Sequence, residues 1–131
     1  MDPSGNRNLA ITVASSRGHL NIVERLLQYP RVDPSAHDNW AIRWASWNGH
    51  CKVVDRLLRD PRVDPSAQHN EAIQWASHWG YVEVVDRLLQ DSRVDPSTRD
   101  NWAIRWASLN GYCKVVDRLL QDPRVQKTTM H

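Results

Sequence analysis

Among its 131 residues the chain has no phenylalanine. Its aromatic surface consists of seven Trp and three Tyr, side chains that join apolar area to a polar edge and are favoured at interfaces. Long apolar runs are missing too. No stretch approaches the roughly 18 residues that would span a bilayer, and the opening "MDPSGNRN" lacks the basic and apolar regions of a secretory leader. Charge of one sign is scarce: 17 Lys and Arg face 15 Asp and Glu, for a net charge of +2. So small an excess excludes the broad basic surface that neutralises phosphates, and neither a nucleic acid nor a membrane is expected as a partner. With only Cys51 and Cys113, in equivalent sequence contexts, the chain is expected in the cytoplasm or another reducing, soluble compartment.

Reaction chemistry is equally thin. There is no Gly-rich phosphate loop and no Cys/His spacing of a zinc site, so no cofactor and no metal is expected. Cys51 follows His50, but neighbours on a helix point about 100° apart. Cys113 follows Tyr112, and Leu20 and Val82 fill the same slot elsewhere, which makes the slot a small apolar one. A Cys51–Cys113 disulfide is not expected, because two repeat spacings separate them by roughly 20 Å and a disulfide needs about 7 Å or less between Cα atoms. Carboxylates recur as scaffold (Asp33, Asp64, Asp95; Asp55, Asp86, Asp117) rather than as an acid/base pair. The chain reads as non-enzymatic.

What is present is repetition. "NWAIRWASWNGHCKVV" (39–54) returns as "NWAIRWASLNGYCKVV" (101–116). Aligned on Asp-Pro-Ser, the chain divides without gaps into blocks of 31 residues, 2–32, 33–63, 64–94 and 95–125, followed by a polar tail, 126–131. Blocks two and four differ at five positions. That near-identity suits a natural duplication of a two-block unit and a consensus-derived, engineered binder equally well.

Each block has one grammar. Asn8, Asn39, Asn70 or Asn101 precedes an Ala-rich stretch closed by Gly18, Gly49, Gly80 or Gly111. Asn is a good helix N-cap and Gly a good left-handed stop, so a short helix is expected between them. A second helix follows, as over 52–59, where Val53, Val54, Leu57 and Leu58 colour one face and Lys52, Asp55 and Arg56 face water. Glu83 and Arg87 have the spacing of an i,i+4 ion pair. Pro30, Pro61 and Pro123 bar continuation. Helices this short are marginal alone; stacked blocks give each apolar face a partner.

"ASSRGHLNIVERLL" (14–27) and "ASWNGHCKVVDRLL" (45–58) resemble the middle of an ankyrin repeat. The resemblance covers all four blocks. It implies an all-α, helix-turn-helix solenoid of four repeats with projecting turns, forming a single domain over 1–125. Two departures stand out. The repeat is 31 residues rather than about 33, and the family's Thr-Pro-Leu-His is replaced by Trp40-Ala41-Ile42-Arg43 and its counterparts.

Overlaying the blocks separates a constant frame from a variable stripe. Repeat positions nine, ten, thirteen and fourteen are Ala, Ile, Ala and Ser throughout, on the side of the first helix that must pack into the stack. Positions eight, eleven and fifteen vary, as do the turn tips. In ankyrin-like stacks such a stripe lines the concave surface where partners dock. The resemblance thus implies a protein or peptide bound by His37, Asp38, Trp40, Arg43, Trp47, His69, Glu71, Gln74, His78, Trp79, Arg99, Trp102, Arg105 and Leu109. Trp44, Trp75 and Trp106 hold one constant slot and are expected to line the groove structurally. Local packing is the rival for the variable Trp: Trp40 and Trp44 are i,i+4 neighbours, and Arg43 is placed to lie over Trp47. Two other functions compete. One is a scaffold that self-associates through an uncapped terminal repeat, and the other a small-ligand groove with Trp as stacking platforms.

Overall fold

The computed structural model describes residues 3–125, and side chains from Asn8 onward; the polar tail lies outside the described residues. Among the described residues eight helices follow one another in pairs: α1 (Pro3–Ser16) with α2 (Leu20–Leu27), α3 (Ala36–Trp47) with α4 (Cys51–Leu58), α5 (Ala67–His78) with α6 (Val82–Leu89), and α7 (Thr98–Leu109) with α8 (Cys113–Leu120). The first helices of each pair stack on one another in chain order and so do the second, giving two rows of a helix-turn-helix solenoid.

The frame residues explain the stacking. Ala41, Ile42, Ala45 and Ser46 are at most 1% exposed, as small side chains let neighbouring first helices approach. Val53, Val54 and Leu57 close the second row at 0–1% exposure, and Val32, Val63, Val94 and Val125 seal the connectors beneath. The Ser15, Ser46 and Ser77 hydroxyls are buried with no hydrogen-bond partner among the described residues, so Ser serves these joints by its size.

Each helix-helix turn is a Schellman stop. Gly49 sits at φ 77°, its N–H donating to Ser46 O at 3.3 Å while the His50 N–H donates to Ala45 O at 2.9 Å. The connector turns are held by carboxylates: Asp60 accepts from the Arg62 N–H and guanidinium at 2.9–3.0 Å, and Asp64 from the Ser66 N–H at 2.9 Å.

Two expectations need correction. Asn39 does not cap its own helix with its side chain; its carboxamide oxygen accepts the Asp64 N–H of the next block at 2.7 Å, as Asn8 does for Asp33 and Asn70 for Asp95. Arg87 does not turn back to Glu83 but reaches Asp55 of the preceding block at 2.6 Å. Asp55 thus takes Arg87 across the joint as well as Arg59 along its own helix, at 2.9 Å. The guanidinium of Arg87 holds the Asp55 carboxyl below its ordinary range, against a smaller opposing effect of burial.

Candidate functional site

The first helices of the last three pairs open unusually. His37, Asp38 and Asn39 have φ of 57°, 55° and 61°, a left-handed turn of three residues, and right-handed helix begins only at Trp40. The turn recurs at Gln68–His69–Asn70 and Arg99–Asp100–Asn101. None of the nine is Gly, and each left-handed non-Gly residue costs roughly 1 kcal/mol or more. The turn therefore needs help, and in the first two cases the side chain at repeat position eleven supplies it. Arg43 Nε donates to Asp38 O at 3.0 Å and its Nη2 to His37 O at 3.2 Å. Gln74 Nε2 donates to His69 O at 2.8 Å and to Thr98 Oγ1 at 3.0 Å.

This reassigns two expected contacts. Gln74 is 2% exposed and is consumed by the turn. Arg43 keeps 18% side-chain exposure and also pairs with Glu71 at 3.1 Å; it points to the turn and not over Trp47. Only Arg105, 65% exposed and 3.7 Å from Asp100, remains open at this position. Every occupant of the slot (Thr12, Arg43, Gln74, Arg105) is a hydrogen-bond donor, which was the available signal.

Trp40, Trp44 and Trp47 follow at i, i+4 and i+7, one stripe of α3. Trp75 and His78 continue it on α5, and Trp102, Trp106 and Leu109 on α7. The rings touch in an unbroken series. Trp40 meets Trp44 at 6.2 Å between centroids, Trp44 meets Trp47 at 5.7 Å, and Trp47 meets Trp75 across the joint at 4.0 Å. Trp75 reaches Trp102 at 5.4 Å, and Trp102 reaches Trp106 at 5.5 Å. Trp79 joins at Trp47, 5.8 Å away. His78 lies among Trp75, Trp79, Trp102 and Trp106 at 4.7–5.7 Å, with Nδ1 buried and unpartnered.

The rings differ in how far they lie open. Trp44 and Trp106 are 37% and 36% exposed, close to Trp79 at 42%, while Trp40, Trp47, Trp75 and Trp102 are half-buried. Within one slot, then, exposure differs: Trp44 and Trp106 are more open than Trp75. The apolar stripe also extends beyond the expected blocks, since Leu9 and Val13 are 51% and 44% exposed. With Trp40 and Trp44 they bound a recess of about 300 Å³. Leu109 closes the other end at 72% exposure. The tips His37, Asp38, Gln68, His69, Arg99 and Asp100 are all exposed and form a polar rim carrying both charges.

A second recess, about 530 Å³, lies over the outer helices and is bounded by Lys52, Asp55, Arg56, Glu83, Asp86 and Arg87. Its charges are largely matched, and it holds none of the aromatic rings. Both cysteines are free; burial, then the Glu83 and Asp55 carboxylates, push the Cys51 thiol up. Among the described residues no three His, Cys, Asp or Glu side chains form a metal set, and no helix is long and apolar enough to cross a membrane.

A family model described as ankyrin repeats (3 copies) matches residues 42–130, and one described as ankyrin repeat matches residues 6–39. Comparison with curated proteins returned no match.

Proposed function

The chain belongs to the ankyrin repeat family, and we propose that it is a non-enzymatic module of four 31-residue repeats that binds a protein or peptide along its Trp stripe. The family's fold generally mediates such binding through a concave face. One observation carries the reading here: seven Trp rings form a continuous, partly open ladder across three repeats, on a frame whose inward residues are invariant. Large rigid aromatics bury much area with few rotors to order, which is why they dominate interface hot spots. The occupant that fits is an extended or helical segment with large apolar side chains, one seated between Leu9, Val13 and Trp44. Its polar edges would meet Asp38, Arg99, Asp100 and Arg105.

The test is a paired affinity capture. One bait is the native chain. A second carries Trp44→Ser, Trp79→Ser and Trp106→Ser, the three most open rings, with circular dichroism confirming its fold. A third carries Lys52→Ser and Glu83→Gln on the outer helices. Capture by the first and third but not the second is expected. Equal capture by all three would move the function off the stripe.

A further inference from the structure

Consecutive repeats are joined by three recurring devices. An Asn carboxamide accepts the next repeat's Asp N–H, at 2.7 Å for Asn8 and Asn39 and 2.8 Å for Asn70. A ring of the next repeat lies flat on the turn glycine: His50, Tyr81 and Tyr112 approach Gly18, Gly49 and Gly80 so closely that a Cβ there would stand 2.5–2.8 Å from ring atoms. On the outer row an Asp takes the next repeat's Arg, Asp55 to Arg87 at 2.6 Å and Asp86 to Arg118 at 2.7 Å.

The far face of α7 and α8 presents the receiving half of the last two devices. A Cβ built on Gly111 would meet nothing within 4 Å. Asp117 is exposed, and so are Ser108 and Cys113, whereas Ser15, Ser46 and Ser77 at the same repeat position as Ser108 are 0% exposed.

The opposite face, on α1 and α2, presents the inserting half. Ile22 is 49% exposed, whereas Val53, Val84 and Val115 at its repeat position are 1% exposed. His19 and Arg25, at the positions of the joint ring and the joint guanidinium, are exposed.

We propose that this chain associates head to tail with a second copy of itself, α1 and α2 of one copy seated on α7 and α8 of the other. The contact rebuilds two parts of an internal joint: His19 covers Gly111, and Arg25 pairs with Asp117. Because the two faces differ, the contact is heterologous and does not close on itself, so open chains form. This surface is distinct from the Trp stripe and leaves it free.

Light scattering and sedimentation of the full chain over a concentration series test the proposal, with Arg25→Glu and Asp117→Arg as probes. Neither side chain makes an ion pair or hydrogen bond among the described residues, and unchanged thermal melts would confirm that both variants fold. The native chain is expected to gain mass with concentration. Either variant alone should weaken association about tenfold or more through like-charge contact, and an equimolar mixture should regain mass because each supplies the face the other lacks. In parallel, alkylation of Cys113 should slow as concentration rises while that of Cys51 does not. A native chain that stays monomeric with a constant Cys113 rate overturns the proposal and makes residues 126–131 the occupant to examine. Association indifferent to both charge variants also overturns it, and moves the self-contact to the Trp stripe.

Discussion

Asn39 and Asp64 are 25 residues apart and joined by one hydrogen bond, backbone N–H to carboxamide oxygen, at 2.7 Å. Asn101 holds the equivalent place with its oxygen unpartnered among the described residues, so the two positions differ chiefly in this bond. Both lie in left-handed turns, at φ 61° and 59°, and an Ala substitution meets the same backbone penalty at each. Asn39→Ala is therefore expected to destabilise by about 1–2 kcal/mol more than Asn101→Ala, read from urea unfolding midpoints. Equal losses would restore the capping role expected from sequence.

Gly49 and Gly111 make a second matched pair. At φ 77° and 79°, an Ala at either costs about 1 kcal/mol in backbone conformation. Only at Gly49 does the new Cβ strike a ring, at 2.7–2.8 Å from Tyr81. Displacing a packed ring adds roughly 1–3 kcal/mol, so Gly49→Ala should lower Tm markedly more than Gly111→Ala. A smaller or equal shift at Gly49 would mean that Tyr81 swings away freely.

The fold was legible where one repeat states its own physics. Val53, Val54 and Leu57 show a helical face within a few residues, and Gly49 shows where the preceding helix stops. Ala41, Ile42, Ala45 and Ser46 showed the packed side because they recur together. Features that depend on two distant segments were not legible. Asn39 looked like a cap because its acceptor role is met only by Asp64. The left-handed turn was hidden because His37, Asp38 and Asn39 are ordinary L residues. Gln74 looked like a contact residue because it varies between repeats, yet the slot conserves the ability to donate. Spacing alone puts Trp40, Trp44 and Trp47 on one side of their helix, but which rings lie open depends on what the neighbouring repeat places beside them.

Acid should weaken the connectors. Asp60 is held below the ordinary carboxylate range chiefly by the hydrogen bonds from the Arg62 side chain, with burial opposing, and Arg93 and Arg124 do the same for Asp91 and Asp122. A depressed folded value contributes stability that is fully present above the unfolded value of about 3.9. It is lost as pH falls from there through the lower folded value. Unfolding midpoints measured from pH 7 down to pH 2 should hold steady and then drop below about pH 4. Asp60→Asn should lower stability near neutrality by about 1 kcal/mol and flatten part of the acid limb. An unchanged limb would assign acid sensitivity to other carboxylates.

Trp47 and Trp79 separate scaffold from surface within the ladder. Trp47 is half-buried in the joint, 4.0 Å from Trp75 and 5.7 Å from Trp44 by ring centroids. Trp47→Ala opens a gap there and should cost about 2–3 kcal/mol, below the range for a fully buried ring. Trp79 is 42% exposed and touches the ladder by its edge, so Trp79→Ala should cost no more than about 1 kcal/mol. If the stripe is the binding surface, Trp79→Ala nevertheless weakens partner capture in proportion to the area it offers, while its thermal melt barely moves. Trp47→Ala weakens capture only together with the fold. Should Trp79→Ala melt as early as Trp47→Ala and capture as well as the native chain, the ladder is a structural spine and its open edges are incidental to binding.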